Sequence, residues 1–122
     1  QFEPCWFGWN KSGSLFTDKR NLVNVWDVKR PHNSKLHPTM KPVELAEIAL
    51  THSSKIKSSV LDLFGGSGST LIACEKTKRN CYMMELDPSY CDVIIKRWED
   101  YTGQKAELIK VDSEELLRVA NV

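Results

Sequence analysis

The sequence is short of features that would place it outside the ordinary soluble globular class. No apolar run among its 122 residues approaches the roughly 20 that a membrane-spanning helix needs, and no secretory signal is recognisable. The four cysteines include no Cys-x-x-Cys pair and no His/Cys ligand spacing, so no metal site is predicted. Scattered thiols are typical of a reducing compartment, and we expect a cytoplasmic protein without a membrane partner.

The chain also has no initiator methionine. The sequence begins at Gln1-Phe-Glu-Pro, which favours a fragment of a longer chain. Charge is unevenly spread, with nine Lys/Arg against five Asp/Glu in residues 1–57 and eight against eleven in residues 58–122. A basic front half fits a polyanion partner, although charge runs more commonly form a solvated face.

Turn residues and hydrophobic periodicity divide the chain into two segments. Residues 1–36 are predicted to form an aromatic strand over 2–9 and a basic loop with a short strand over 22–28. Residues 37–122 carry alternating helix and strand signals and begin with a helix over 42–52. The other predicted elements are strands over 59–64, 80–86 and 106–111, and helices over 69–79, 88–102 and 113–120.

Strands that alternate with helices predict an α/β fold with right-handed crossovers and a parallel sheet in the order 3-2-1. This arrangement is half of a doubly wound, Rossmann-like sheet. The first strand would then expose an apolar edge where a second half should continue. We expect that edge to be covered by residues 2–9, by a missing amino-terminal half, or by another chain through self-association.

The stretch VLDLFGGSGST, residues 60–70, reads as a buried strand that runs into a small-residue turn. A triphosphate-binding loop needs Gly-x-x-x-x-Gly-Lys-Ser/Thr, and this turn has no lysine. A dinucleotide fingerprint fits Gly66 and Gly68 but places Leu71 where a third glycine should allow close packing. A glycine turn that serves only to reverse the chain would be the default if no other feature agreed.

Two carboxylates favour a different ligand. Asp62 stands inside the apolar strand, where an unpaired carboxylate is costly, so it should meet a donor at the strand's carboxyl end. Glu85 ends the next strand, 23 residues later, where an acidic side chain accepts both hydroxyls of a ribose. Carboxylates, small residues and a helix amino terminus, without a cation dedicated to phosphate, suit a nucleoside with a cationic amino-acid tail. S-adenosylmethionine is such a ligand.

Three motifs within and beside residues 37–87 carry a resemblance to a known family. They are LHPTMKPVEL, VLDLFGGSGSTLIAC and YMMELDP. In order and spacing they resemble the carboxyl-terminal part of a DNA amino-methyltransferase, of the permuted subgroup in which HPTxKP precedes FxGxG. The resemblance covers about the last two-thirds of the chain. It implies a Rossmann-like, S-adenosylmethionine-dependent fold and methyl transfer to adenine N6 or cytosine N4, as in restriction–modification.

The resemblance also implies a cofactor site. The turn after the first strand would wrap the methionine part, Asp62 would face its ammonium group, and Glu85 would bind the ribose with Leu86 beside the adenine. Thr39 and Lys41 would lie near the methionine carboxylate; in the alternative, this segment is only a surface loop entering a helix. The implied cofactor-binding residues are His37, Thr39, Lys41, Asp62, Phe64, Gly65, Gly66, Ser67, Gly68, Ser69, Thr70, Glu85 and Leu86.

The family's catalytic signature, (D/N/S)-P-P-(Y/F/W), does not occur in the sequence. The resemblance implies that this tetrapeptide holds the target amine and stacks on a flipped base. Asp87-Pro-Ser-Tyr90 is similar, but its position after Glu85 predicts a helix cap. Pro4-Cys5 lacks the context of a cytosine C5 methyltransferase nucleophile, and Cys5 is expected in a partly buried strand. We therefore predict no catalytic residue here and no activity of the chain alone.

Basic and aromatic residues are interspersed in residues 11–35, which the resemblance places on the DNA-facing side. Phosphate contacts from such residues give affinity without sequence information, and a mobile solvated loop is an equal alternative. DNA is expected as a partner through the full-length enzyme. Two other hypotheses stay open: a non-catalytic remnant module that binds S-adenosylmethionine or a nucleotide, and a generic Rossmann protein that prefers NAD.

Overall fold

The structure, a computed structural model, describes residues 3–8, 23–29 and 40–110. Helices and strands alternate along the last of these ranges, and each overlaps a predicted element. The two strands are shorter than predicted and end at residues 62 and 83 instead of 64 and 86, so Glu85 lies beyond its strand rather than at its end. None of the helices in the described ranges is long and apolar enough to cross a bilayer. The elements are α1 (Val43–Ser53), β1 (Ser59–Asp62), α2 (Ser69–Thr77), β2 (Asn80–Met83) and α3 (Pro88–Thr102).

The two strands β1 and β2 form a parallel pair in which Asp62 lies opposite Met83. Helix α2 is the crossover that parallel pairing requires. Beyond the strands, the Met84 N–H donates to the Asp62 carbonyl at 2.9 Å, and the Met84 carbonyl accepts the Gly65 N–H at 2.9 Å. The chain therefore leaves both strands at one edge of the sheet, and the two loops that follow lie side by side.

Local signals set the ends of α3. Asp87 is its N-cap and accepts the Ser89 N–H at 2.8 Å, while Pro88 stands in the first turn. The Ser89 hydroxyl and then its N–H lower the pKa of the Asp87 carboxyl, since both donors favour the ionised form. Gly103 ends the helix in the left-handed conformation, at φ 72°. The cap predicted for Asp87 is confirmed.

The core lies between α1, α2 and one face of the sheet. Leu50, Ala73 and Cys74 are buried at its centre, and Val60 and Cys81 pack against them from the strands. Burial raises the pKa of the Cys81 thiol to about 12, so this sulfur stays neutral at physiological pH. Cys74 and Cys81 therefore behave as small apolar core residues, as expected for scattered thiols.

Arg79 closes the carboxyl ends of α1 and α2. Its guanidinium donates to the carbonyls of Ser54 at 2.7 Å and Leu50 at 3.4 Å, and to the carbonyl of Thr77. The last carbonyls of a helix have no intrahelical partner, so a cation that satisfies them stabilises both helix ends.

The face of the sheet away from these helices, the open face, carries Leu61 and Tyr82. Because side chains alternate along a strand, both point away from the core that Val60 and Cys81 contact. Leu61 is 67% exposed and Tyr82 is 59% exposed. The described helices thus cover one face of the sheet only.

Strand predictions in the first segment are wrong within the described residues. Residues 3–8 and 23–28 form no strand, and the side chains of residues 3–8 are all exposed. An aromatic run forms a strand only where a neighbouring strand pairs with it, and residues 3–8 add no strand to the edge of β1. Cys5 is exposed, which corrects the expectation that it lies in a partly buried strand.

The predicted third strand over 106–111 is wrong for residues 106–110, which form no strand. Glu99, near the end of α3, accepts the Ala106 N–H at 3.0 Å and pairs with Lys105. These contacts hold the chain against α3 and occupy an N–H that pairing with β2 would need. In the described part of the chain the order 3-2-1 reduces to β1–β2. Residue 111 and the predicted helix over 113–120 lie outside it.

Candidate functional site

A cavity of about 240 Å³ opens where β1 ends and the glycine-rich turn begins. Ligands of open α/β sheets bind at this position, beyond the carboxyl ends of the strands. The lining combines a carboxylate, an ammonium group, an aromatic ring and the small residues of the turn. The lining residues are Lys41, Asp62, Phe64, Gly65, Gly66, Ser67, Ser69 and Thr70.

The turn itself depends on glycine. Gly66 and Gly68 have φ values of 53° and 76°, in the left-handed region that other residues rarely adopt. The Gly68 N–H donates to the Gly65 carbonyl at 2.8 Å and closes the turn. A Cβ on Gly68 would lie 3.2 Å from Ile94 of α3. The turn therefore needs glycine at position 68 for both conformation and space.

Asp62 meets the turn through its backbone. Its Oδ1 accepts the Phe64 N–H at 3.0 Å, which supplies the donor that a carboxylate inside an apolar strand requires. In the described part of the chain its second oxygen accepts no hydrogen bond. Since Asp62 lines the cavity, that oxygen is the acidic group available to a cationic ligand.

The other wall of the cavity is the segment before α1. The Ser69 hydroxyl, at the start of α2, donates to the Lys41 carbonyl at 2.7 Å. The Lys41 ammonium group pairs with Glu3, and the Lys41 side chain is 56% exposed. The backbone of this wall is thus fixed to α2, while its cation stays accessible from solvent.

Glu85 joins the two loops at this edge of the sheet. Its Oε2 accepts the Gly66 N–H at 2.6 Å, and its Oε1 accepts those of Leu86 at 2.9 Å and Asp87 at 3.0 Å. The N–H groups of Asp87 and then Gly66 lower the pKa of the Glu85 carboxyl. An ionised carboxylate therefore links the turn after β1 to the loop after β2.

The structure brings most of the predicted site residues together. Eight of them line the cavity. Gly68 lies behind the lining against Ile94, and Glu85 lies outside the lining but bonds to Gly66. Leu86 is 97% exposed and does not line the cavity. His37 and Thr39 lie outside the described residues.

Arg97 is a site residue that the sequence prediction missed. From α3 its Nη1 donates to the Ser67 carbonyl at 2.8 Å. It stands three residues after Ile94, which packs on Gly68, and residues three apart share a helix face. No motif in the sequence marks this residue, because its partner is a backbone carbonyl on a distant part of the chain.

Comparison with known proteins identifies the family. The family model described as DNA methylase, of the N6/N4 type, matches residues 8–97. The chain belongs to the N6/N4 DNA methylase family. The type II methyltransferase M.Cfr9I of Citrobacter freundii is 30% identical over 92 residues, which are 75% of this chain and 30% of that relative. The chain therefore spans about a third of the length of this methyltransferase.

Solved structures of DNA methyltransferases are similar to this N6/N4 DNA methylase chain. A complex of M1.HpyAVI with S-adenosylmethionine matches with a TM-score of 0.58 and 30% identity, over 68% of this chain and 42% of that one. A putative DNA modification methylase from Thermus thermophilus, complexed with S-adenosylmethionine, matches at 0.52 and 34%, over 57% and 29%. The predicted α/β methyltransferase fold is confirmed.

Proposed function

We propose that this chain is the cofactor-binding, carboxyl-terminal part of an enzyme that transfers methyl from S-adenosylmethionine to adenine N6 or cytosine N4 in DNA. The observation that carries the proposal is the cavity at the ends of the strands, where Asp62, Lys41 and a glycine turn meet in a chain of the N6/N4 family. HPTxKP stands ahead of FxGxG in the sequence, and on that order we assign the chain to the permuted subgroup.

The donor set of the cavity fits the amino-acid part of this cofactor. Asp62 offers one carboxylate oxygen to an ammonium group. Lys41 and the amino end of α2, which begins at Ser69, favour a carboxylate, because the first N–H groups of a helix and a nearby cation attract anions. Lys41 would exchange its exposed partner Glu3 for that carboxylate. When bound, the cofactor supplies an electrophilic methyl group on sulfur.

The nucleoside part is assigned to the loop after β2. Glu85 accepts three N–H groups, and an ionised carboxylate has about four acceptor positions, so Glu85 would receive a ribose hydroxyl at the free position. Leu86, which is 97% exposed, would pack beside the adenine. His37 and Thr39 are assigned near the methionine carboxylate on the sequence motif alone.

This chain does not supply the residues that would hold the target base. The base-holding tetrapeptide (D/N/S)-P-P-(Y/F/W) is not in its sequence, and direct methyl transfer depends on positioning of the amine. We therefore propose that the chain alone is inactive, with residues 37–122 as the cofactor half-domain and residues 1–36 facing DNA in the full-length enzyme. Self-association through the edge of β1 and a cytoplasmic location remain predictions.

Calorimetric titration tests the cofactor proposal. The chain is expected to bind S-adenosylmethionine and its demethylated product and to show no binding of NAD at the same concentrations. A preference for NAD would identify a generic nucleotide-binding protein instead. Incorporation of labelled methyl into duplex DNA is expected to be absent; if it occurs, the proposed inactivity is wrong and the cofactor assignment stands.

A further inference from the structure

The guanidinium of Arg97 contacts two residues of the glycine turn, Ser67 and Ser69, but does not itself line the cavity. Its Nη1 donates to the Ser67 carbonyl at 2.8 Å and lies 3.3 Å from both the Ser67 and the Ser69 hydroxyl oxygens. Arg97 is partly buried, and burial lowers its pKa, but a guanidinium keeps its charge in a protein. Among residues 3–8, 23–29 and 40–110, no carboxylate pairs with it.

The bond to Ser67 fixes one peptide of the turn. The carbonyl of Ser67 and the N–H of Gly68 belong to the same planar, trans peptide unit, so the direction of one sets the direction of the other. The Gly68 N–H donates to the Gly65 carbonyl at 2.8 Å. Arg97 and Gly65 therefore hold this peptide from opposite sides, which leaves it a single orientation.

A second contact extends the effect to the other wall of the cavity. The Ser69 hydroxyl donates its proton to the Lys41 carbonyl at 2.7 Å, so toward Arg97 the same oxygen acts as acceptor. One guanidinium thus connects through Ser69 to the segment that precedes α1. Both the turn and the Lys41 wall are tied to α3 through this side chain.

We propose that Arg97 is a positioning residue that holds the glycine turn and the Lys41 wall in the geometry that the cofactor requires. It acts through the backbone of Ser67 and through Ser69 rather than by touching the ligand. The inference rests on the proposed cofactor site, and it assigns to α3 a role in affinity that its sequence motifs do not indicate.

Arg79 provides a matched control. It too is a partly buried arginine that donates to backbone carbonyls, those of Leu50, Ser54 and Thr77. Its contacts lie at the carboxyl end of α2, whereas those of Arg97 lie at the amino end. Replacing either arginine by methionine removes hydrogen bonds to a charged group and lowers stability, so stability alone does not distinguish their roles.

The experiment compares Arg97→Met with Arg79→Met in the 122-residue chain. The first readout is the dissociation constant for S-adenosylmethionine at a temperature where each variant is folded, and the second is hydrogen exchange of the Gly68 amide without ligand. Arg97→Met is expected to weaken binding by about tenfold or more and to speed exchange at Gly68. Arg79→Met is expected to leave both unchanged in the folded protein.

The two readouts separate the inference from the function on which it rests. One outcome is that the unaltered chain binds no S-adenosylmethionine while the exchange rate of the Gly68 amide increases in Arg97→Met and not in Arg79→Met. In that case the proposed cofactor is wrong, and the role of Arg97 in positioning the glycine turn stands. If both variants change affinity and exchange equally, or neither does, the inference is overturned.

A milder variant keeps the test decisive if Arg97→Met does not fold. Arg97→Lys retains the charge but replaces the planar guanidinium, which has several N–H donors, by a single ammonium group. The lysine therefore cannot keep the same contacts with Ser67 and Ser69. The inference is supported if Arg97→Lys binds S-adenosylmethionine more weakly than the unaltered chain, by less than tenfold, and if its Gly68 amide exchanges faster. Full affinity with faster Gly68 exchange contradicts it.

Discussion

The two ends of α2 are built differently. Its amino end follows a turn of glycines and serines held by Arg97 and Glu85, and it opens onto the cavity. Its carboxyl half carries Ala73 and Cys74 of the core and is closed by Arg79. One helix thus separates two tasks, because polar contacts shape the ligand site at one end and apolar packing supplies stability at the other. Substitutions at the two ends should therefore have different signatures.

The largest effect on stability is expected at the core end. Leu50→Ala removes a side chain that is 9% exposed and packs with the buried residues of α2, and leucine-to-alanine changes of this kind cost about 2–5 kcal/mol. Denaturant unfolding should show this loss, while the dissociation constant of the folded fraction for S-adenosylmethionine stays unchanged. Leu108→Ala is the control, since Leu108 is 86% exposed. A change in ligand affinity with Leu50→Ala would contradict the separation of the two ends.

Gly68→Ala should affect both properties. The substitution forces a Cβ onto a residue at φ 76°, 3.2 Å from Ile94, and left-handed backbone alone costs a non-glycine residue about 1–2 kcal/mol. We expect a larger loss of unfolding free energy than for Gly103→Ala, whose φ is 72° but whose Cβ would meet nothing within 4 Å. Cofactor affinity should fall only for Gly68→Ala. Equal behaviour of the two variants would show that the contact with Ile94 has no effect.

Glu85→Ala tests the cavity end directly. The substitution removes hydrogen bonds to a charged group, so cofactor affinity should drop about tenfold or more. Glu99→Ala is the matched control, because Glu99 also accepts a backbone N–H, that of Ala106 at 3.0 Å, but near the other end of α3. Calorimetric titration that returned the same dissociation constant for Glu85→Ala and the unaltered chain would remove Glu85 from the site.

The smallest expected effect is on acid stability. The pKa of Glu85 lies below its ordinary value of 4.5, so the ionised form stabilises the folded state above that pH. This contribution is lost as the pH falls through the folded-state pKa. Denaturant midpoints measured from about pH 6 down to about pH 3 should fall less steeply for Glu85→Gln than for the unaltered chain. If the midpoints of the two proteins depend on pH in the same way, the N–H contacts of Glu85 do not stabilise the folded state in water.

The sequence was sufficient to predict the five elements from 43 to 102, because each carries its own local signal. Periodicity changes between strand and helix in this region, and Asp87, Pro88 and Gly103 mark the ends of α3. The strand predicted over 106–111 does not form in residues 106–110, because a short apolar run that is interrupted by Glu107 and Lys110 is a poor strand signal. Whether such a run pairs depends on contacts that the run does not encode, here those of Glu99 with Lys105 and Ala106.

The candidate site was predicted in composition but not in its connections. Asp62 was expected to need a donor, and its donor is the backbone of Phe64. Glu85 was placed at the end of β2 by spacing, yet its bond to Gly66 depends on the parallel register. Arg97 was missed because its partner is a backbone carbonyl 30 residues away, and no side-chain motif records such a contact.

The link from Glu85 to Gly66 has a consequence for the thermodynamics of recognition. Two loops that meet a ligand independently must each lose conformational freedom when it arrives, and that entropy weakens binding. Here a single carboxylate aligns them while the chain folds. The two loops are thus largely ordered before any ligand is present. Binding then costs less conformational entropy, and the same contacts with the ligand give a higher affinity.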